Sequence, residues 1–151
     1  MSLFESNPIF ANTFPGLSPC MLFPKRMKKE SLPFPFNAKR IEYFYQCRAA
    51  IYAVARFWNL KGAEVIFPSY CCGVDLNALL AAGVLPRFYP VHRSMDVDPN
   101  EVAALINRKT KAVYIIHYLG FPGPIDEIAR ICKEHNILLI EDCALSLFSF
   151  H

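Results

Sequence analysis

Four short apolar runs, each separated from the next by a stretch with helical spacing, set the frame of the chain. Glu64-Val65-Ile66-Phe67-Pro68 is the first, ended by its proline, and Leu85 to Val91 is the second. Lys111-Ala112-Val113-Tyr114-Ile115-Ile116-His117 is the third, and the run from Ile137 to Ala144 is the fourth. Ile137-Leu138-Leu139-Ile140 shows no polar alternation, the pattern of a strand buried on both faces in a parallel sheet. Upstream of the first run, Ile51, Val54, Ala55 and Trp58 recur at i, i+3, i+4 and i+7, predicting a helix from about Gln46 to Trp58, followed by Gly62 as a stop or a turn. Leu76, Leu79 and Leu80 predict the inner face of a second helix ended by Gly83. Asp98-Pro99-Asn100-Glu101 opens a third, with Asp98 as cap, Pro99 at the first helical position and Glu101 completing a capping box. That helix runs to about Asn107 and turns Val102, Leu105 and Ile106 inward. After the loop of Gly120, Pro122, Gly123 and Pro124, a fourth helix buries Ile125, Ile128, Ala129 and Cys132 and ends near Asn136. Lys133 and His135 fall where a helix dipole favours positive charge.

Strands alternating with helices, joined by connections long enough for right-handed crossovers, define an α/β protein. The expected architecture has three layers, a mostly parallel sheet with helices on both faces. Residues 1–38 read differently. Six of the twelve prolines fall in the first 36 residues, interleaved with Phe and Leu, so this is an extended arm and residues 39–151 form the folded domain. The run Lys25-Arg26-Met27-Lys28-Lys29 within the arm reads as a solvated turn, since no second basic cluster joins it.

Composition narrows the function classes. With 54% hydrophobic residues in 151, the chain has ample material for a core and is not a disordered polypeptide. Sixteen basic against thirteen acidic residues demand neither nucleic acid nor a membrane as partner. Six cysteines without a CxxC pair or regular spacing, several inside apolar runs, suit a reducing cytoplasm better than a disulfide scaffold. No signal-peptide pattern and no membrane-length apolar run is present. The expected protein is soluble and cytoplasmic.

Candidate chemistry lies at the end of the fourth run. Ligands of open α/β sheets bind at the carboxyl ends of the strands, and there the apolar run stops on Glu141-Asp142. Burying such charges without a partner is costly, so Asp142 is the leading candidate. His117 closes the third strand at the same edge, as a ligand contact or as a satisfied histidine. Cys71-Cys72 reads as packing, with no neighbouring Lys or His to activate a thiol. No glycine-rich dinucleotide or P-loop fingerprint occurs, nor an HExxH or paired CxxC metal motif. A metal or a ribose held by Glu141-Asp142 therefore stays open.

Several segments together resemble a known family. Cys47-Arg48-Ala49-Ala50, Glu64 to Tyr70, Ala81-Ala82-Gly83-Val84-Leu85-Pro86, Arg108 to Val113, His117-Tyr118-Leu119-Gly120 and Ile140-Glu141-Asp142-Cys143-Ala144 stand in the order and spacing of the DegT/DnrJ/StrS sugar aminotransferases, which have the fold-type-I architecture and depend on pyridoxal phosphate. The resemblance spans roughly residues 40–145. It implies that residues 39–151 are part of a transferase large domain and that Asp142 pairs with the pyridine nitrogen of the cofactor. Arg48 and Ala49 correspond to the turn that cradles its phosphate. Cys72 stands where the family places an aromatic ring over the cofactor, and Leu145 where a Gln or His is common. The family's Schiff-base lysine lies downstream of Asp142, so the chain is expected to be an N-terminal portion, inactive alone. The terminal Phe148-Ser149-Phe150-His151, similar to the strand before that lysine, follows Asp142 too closely and is taken as a chance match. The implied reaction moves an amino group from an amino donor to a keto-sugar, often nucleotide-linked, in a homodimer. A non-catalytic dimerising scaffold and an unrelated α/β ligand-binding domain are the alternatives.

Overall fold

The computed structural model describes residues 36–146. The proline-rich arm expected over residues 1–38, its basic run and the terminal Phe-Ser-Phe-His therefore lie, apart from residues 36–38, outside the described residues. Tyr43 opens the unit considered below, distinct from the one that ends at Glu42.

Its elements are α1 (Cys47–Phe57), β1 (Glu64–Pro68), α2 (Gly73–Ala81), β2 (Leu85–Tyr89), α3 (Pro99–Ala104), β3 (Thr110–Ile116), a 3₁₀ turn (Tyr118–Gly120), α4 (Ile125–Glu134) and β4 (Leu138–Asp142). All pairings are parallel, in the order β2-β1-β3-β4. Strand pleating sorts the side chains by parity. Val65, Phe67, Ala112, Tyr114 and Ile116 face Ile51 and Ala55 of α1 and Ala78 and Leu79 of α2. Ile66, Val113 and Ile115 face the other way, against Val102 of α3 and Ile128 and Cys132 of α4. Helices thus cover both faces of one sheet. The direction of strand addition reverses after β2, which leaves a crevice between the carboxyl ends of β1 and β3, where such sheets bind ligands.

Three helices end in the same way. Asn59, Gly83 and Asn136 follow α1, α2 and α4 with φ of 52°, 81° and 52°. Behind them the amides of Leu60, Val84 and Ile137 reach back to the carbonyls of Ala55, Leu79 and Cys132 at 2.9, 3.1 and 2.9 Å. This is the Schellman closure, and in each case the residue after the left-handed position is aliphatic and anchors the turn. A Cβ at Gly83 would meet Lys61 Cγ at 2.9 Å, so both conformation and space favour glycine there.

Some sequence expectations need correction. Asn59 stops α1, and Gly62, at φ 76°, forms the turn beyond it. Trp58 caps that helix from outside it and, with Phe57 edge-on at 5.1 Å, is exposed. Leu80 and Ala129 also point outward, because Ala78 with Leu79, and Ile128 with Ile131 and Cys132, take the inward positions. β2 and α3 are shorter than expected, ending at Tyr89 and Ala104. Asp98 caps α3 through the Asn100 amide at 2.8 Å, but Glu101 forms no capping box and instead meets His92 Nε2 at 3.0 Å. β4 spans only Leu138–Asp142 and is half-buried rather than buried on both faces. Its one neighbour is β3, so nothing covers its other edge among the described residues.

Candidate functional site

Asp142 ends β4 opposite Ile116, the last residue of β3. It is 8% exposed, and both its carboxylate oxygens and its carbonyl are engaged. The Tyr114 hydroxyl donates to Oδ2 at 2.6 Å and the Ala144 amide to Oδ1 at 2.9 Å. The His117 amide donates to the Asp142 carbonyl at 3.1 Å. Tyr114 is itself tied down, since Tyr89 donates its hydroxyl to the Tyr114 carbonyl at 3.1 Å. Burial first, and then the bond to Asp142, push the Tyr114 phenol well above the ordinary tyrosine range, so it stays a donor.

The carboxylate faces a hollow of about 480 Å³ at the carboxyl edge of the sheet, on the α1–α2 side. Cys47, Tyr70, Cys72, Asp75 and Tyr118 share its lining, with Ile116 and Leu145 as apolar wall. Among the described residues, no Lys, Arg or His is in that lining. Asp75, in the first turn of α2, has its carboxyl raised by burial and by the charge of Asp142. The Cys47 thiol is raised by burial and by both carboxylates, and the Cys71 thiol by burial and Asp75. These thiols are held protonated, the opposite of an activated nucleophile. The hollow is an acidic, otherwise apolar cup, complementary to a cationic ring.

Glu141 and Asp142 do not act together. The pleat sends Glu141 to the α4 side, into a separate hollow shared with His117, Gly123 and Cys143. His117 is buried there and satisfied: the Gly123 amide donates to Nδ1 at 3.0 Å, and Nε2 lies 3.4 Å from Glu141 Oε2. Ligand atoms of His117, Glu141 and Cys143 lie within 4.8 Å of one another. A metal-bound imidazole, however, donates from its free nitrogen, whereas here Nδ1 accepts and Nε2 must carry the proton. The geometry favours a structural hydrogen bond over a metal ligand.

Arg48 and Ala49 line another hollow, between α1 and α2, with Tyr52, Val74 and Asn77. From the first turn of α1 it is Cys47, not Arg48, that lines the Asp142 hollow. Gln46 precedes α1 without a side-chain cap, and the amides of Cys47 and Arg48 have no acceptor among the described residues. That free helix start is suited to an anion. Cys72, at the N-cap of α2, and Leu145 both border the Asp142 hollow. Tyr114, the strongest partner of Asp142, was not among the residues expected from sequence. All five cysteines among the described residues are free thiols. At the amino edge of the sheet, Lys61, Lys109 and Lys111 line a hollow of about 510 Å³ beside the carbonyl ends of α1 and α4, where positive charge is favoured.

The parallel sheet with helices on both faces is part of a fold-type-I aminotransferase fold, as its likeness to solved aminotransferases shows. The family description that matches residues 46–150 is the DegT/DnrJ/EryC1/StrS aminotransferase family, and the chain belongs to it. GDP-perosamine synthase of Vibrio cholerae is 38% identical over 85 residues, 56% of this chain and 23% of that protein. The dTDP-4-dehydro-2,3,6-trideoxy-D-glucose 4-aminotransferase of Saccharopolyspora spinosa is 29% identical over 147 residues, 93% of this chain and 37% of that protein. Among solved structures, the aminotransferase TlmJ from Streptoalloteichus hindustanus superposes with a TM-score of 0.63 at 31% identity, covering 67% of this chain and 28% of its own. NtdA from Bacillus subtilis, solved with bound cofactor PMP, gives 0.60 at 26% identity, covering 64% and 22%. The chain thus spans less than two-fifths of the length of these relatives. No helix among the described residues is long and apolar enough to cross a membrane.

Proposed function

We propose that the chain carries the ring-binding half of a pyridoxal phosphate site from a sugar aminotransferase, with Asp142 against the pyridine nitrogen. The observation that carries this reading is the buried Asp142 carboxylate, fixed by Tyr114 and Ala144, facing a hollow whose lining among the described residues holds a second acid and no basic side chain. An anion held that rigidly is complementary to a protonated ring nitrogen and stabilises the charged form of the ring. Bound there, the cofactor would supply an electron sink for the substrate carbon that loses a proton.

The amides of Cys47 and Arg48, which have no acceptor among the described residues, would receive the phosphate, and the Arg48 guanidinium adds charge from the adjoining hollow. Ala49 lets that turn approach closely, and Cys72 borders the ring where a larger side chain would fill the cup. Ile116 and Leu145 keep one wall dry. The substrate class we propose is a keto-sugar linked to a nucleotide, in line with the names of the two relatives, with an amino acid as amino donor and a homodimer as the working form. The boundary between an arm of residues 1–38 and a partial large domain of residues 39–151 belongs to the same proposal.

The test is a titration of the full chain with pyridoxamine 5′-phosphate, the amine form of the cofactor, whose binding needs no lysine. The wild-type chain should bind it saturably, and Asp142→Asn should weaken binding at least about tenfold, the loss of one charge-assisted contact. Equal affinity of the two proteins would defeat the reading.

A further inference from the structure

We infer that Tyr70 is an aromatic platform for the ligand ring, an assignment that rests on the cofactor reading above. The segment after β1 is pinned on both sides of Tyr70. The Ser69 amide donates to the Tyr89 carbonyl at 2.9 Å, the Val91 amide donates to Ser69 Oγ at 3.1 Å, and the Tyr118 hydroxyl donates to the Tyr70 carbonyl. With its backbone held, the Tyr70 ring is nevertheless 58% exposed, and its own hydroxyl has no partner among the described residues. It stands in the lining of the hollow that contains Asp142. Tyr118, 7% exposed, backs it at 5.8 Å between ring centroids and 48° between planes.

A large apolar ring left in water on a fixed backbone has little conformational entropy left to lose when a partner covers it. Among the described residues the lining of the hollow carries two carboxylates and no positive side chain, so a cationic ring is the ligand it suits, and such a ring is attracted to an aromatic face. Stacking on Tyr70 would also cover the mouth of the hollow and exclude water from the Asp142 contact.

Proton NMR of pyridoxamine 5′-phosphate added to the full chain separates this inference from the reading it rests on. In the wild-type complex the ring and methyl protons of the ligand should shift upfield, the signature of stacking on an aromatic face. Tyr70→Phe should keep that shift and an affinity within about twofold, because the face is retained. Tyr70→Ala should abolish the shift and weaken binding by about tenfold, within the range of a ring stack. Asp142→Asn should weaken binding yet preserve the shift at saturation. An unchanged shift and affinity in Tyr70→Ala would overturn the platform and leave Asp142 untouched. Absence of saturable binding by the wild-type chain would overturn the cofactor reading and the platform with it.

Discussion

The Tyr114 hydroxyl reaches Asp142 Oδ2 at 2.6 Å from the neighbouring strand, two register positions before Ile116, the residue paired with Asp142. The two side chains share a sheet face because both positions are even-numbered along strands in register, and the pair lies against the α1–α2 layer. The bond joins a buried donor to a buried charge. Tyr114→Phe should therefore destabilise the fold by about 1.5–3 kcal/mol, the cost of leaving a charged acceptor unsatisfied. Denaturant unfolding of the two proteins measures it, and a difference within about 0.5 kcal/mol would refute the pairing.

Much of this relationship was legible in the sequence, and part was not. An apolar run ending on an acid pointed to Asp142, and strand parity is enough to send Glu141 to the opposite face. Tyr114, embedded in an apolar strand, reads only as core filler. Its hydroxyl finds Asp142 through the β3–β4 register, a pairing between segments far apart in the chain that no local pattern encodes. The half-exposure of β4 has the same origin: apolar spacing reveals what a strand can bury, not how many neighbours it has. For α1, glycine preference drew attention to Gly62, while Asn59 adopted the left-handed turn three residues earlier. Asparagine tolerates that conformation well enough to end a helix.

The three helix closures lead to a second prediction. Gly83→Ala forces a side chain into φ 81° and toward Lys61, at a cost of about 1–2 kcal/mol. Asn59→Gly, at a position already left-handed, should change stability by less than about 0.5 kcal/mol. Equal effects of the two substitutions in thermal unfolding would show that the turn geometry is not the cause.

Asp75 gives a pH dependence with a definite sign. Its carboxyl is raised by burial and then by Asp142, so the folded chain prefers it protonated. A raised carboxyl contributes stability that is present below the unfolded carboxylate range and is lost as pH rises through the folded value. At pH 7 the charge is a net cost, and Asp75→Asn should raise Tm there. The gain should shrink as pH falls toward the ordinary range near 3.8. A gain that grew toward acid pH would reverse the assignment.

Cys132 makes the same point at the alkaline end. Burial alone pushes its thiol from 9.0 to about 11. Its stabilising contribution is intact below pH 9 and is lost as pH rises toward 11. In the folded chain at pH 8, iodoacetamide should modify the exposed Cys72 well before Cys132, and mild denaturant should remove the difference. Peptide mass mapping reads the order, and early labelling of Cys132 without denaturant would contradict its place in the core.

The last prediction concerns turnover. Amino transfer in this chemistry needs a lysine beside the cofactor, to hold it covalently and to release it to the amino donor. Among the described residues the hollow containing Asp142 has no lysine in its lining, whereas Lys61, Lys109 and Lys111 lie at the amino edge of the sheet and Lys133 in the last turn of α4. Helices of a parallel sheet run back toward the amino ends of the strands, so these four occupy the end opposite Asp142. The purified chain, given pyridoxal phosphate, an amino donor and nucleotide-linked keto-sugars, should yield no amino-sugar. Borohydride trapping should fix cofactor only at lysines outside the hollow, and Asp142→Asn should leave that pattern unchanged. Measurable turnover that Asp142→Asn abolishes would mean that a lysine reaches the hollow after all, and the division between the two ends of the sheet would have to be redrawn.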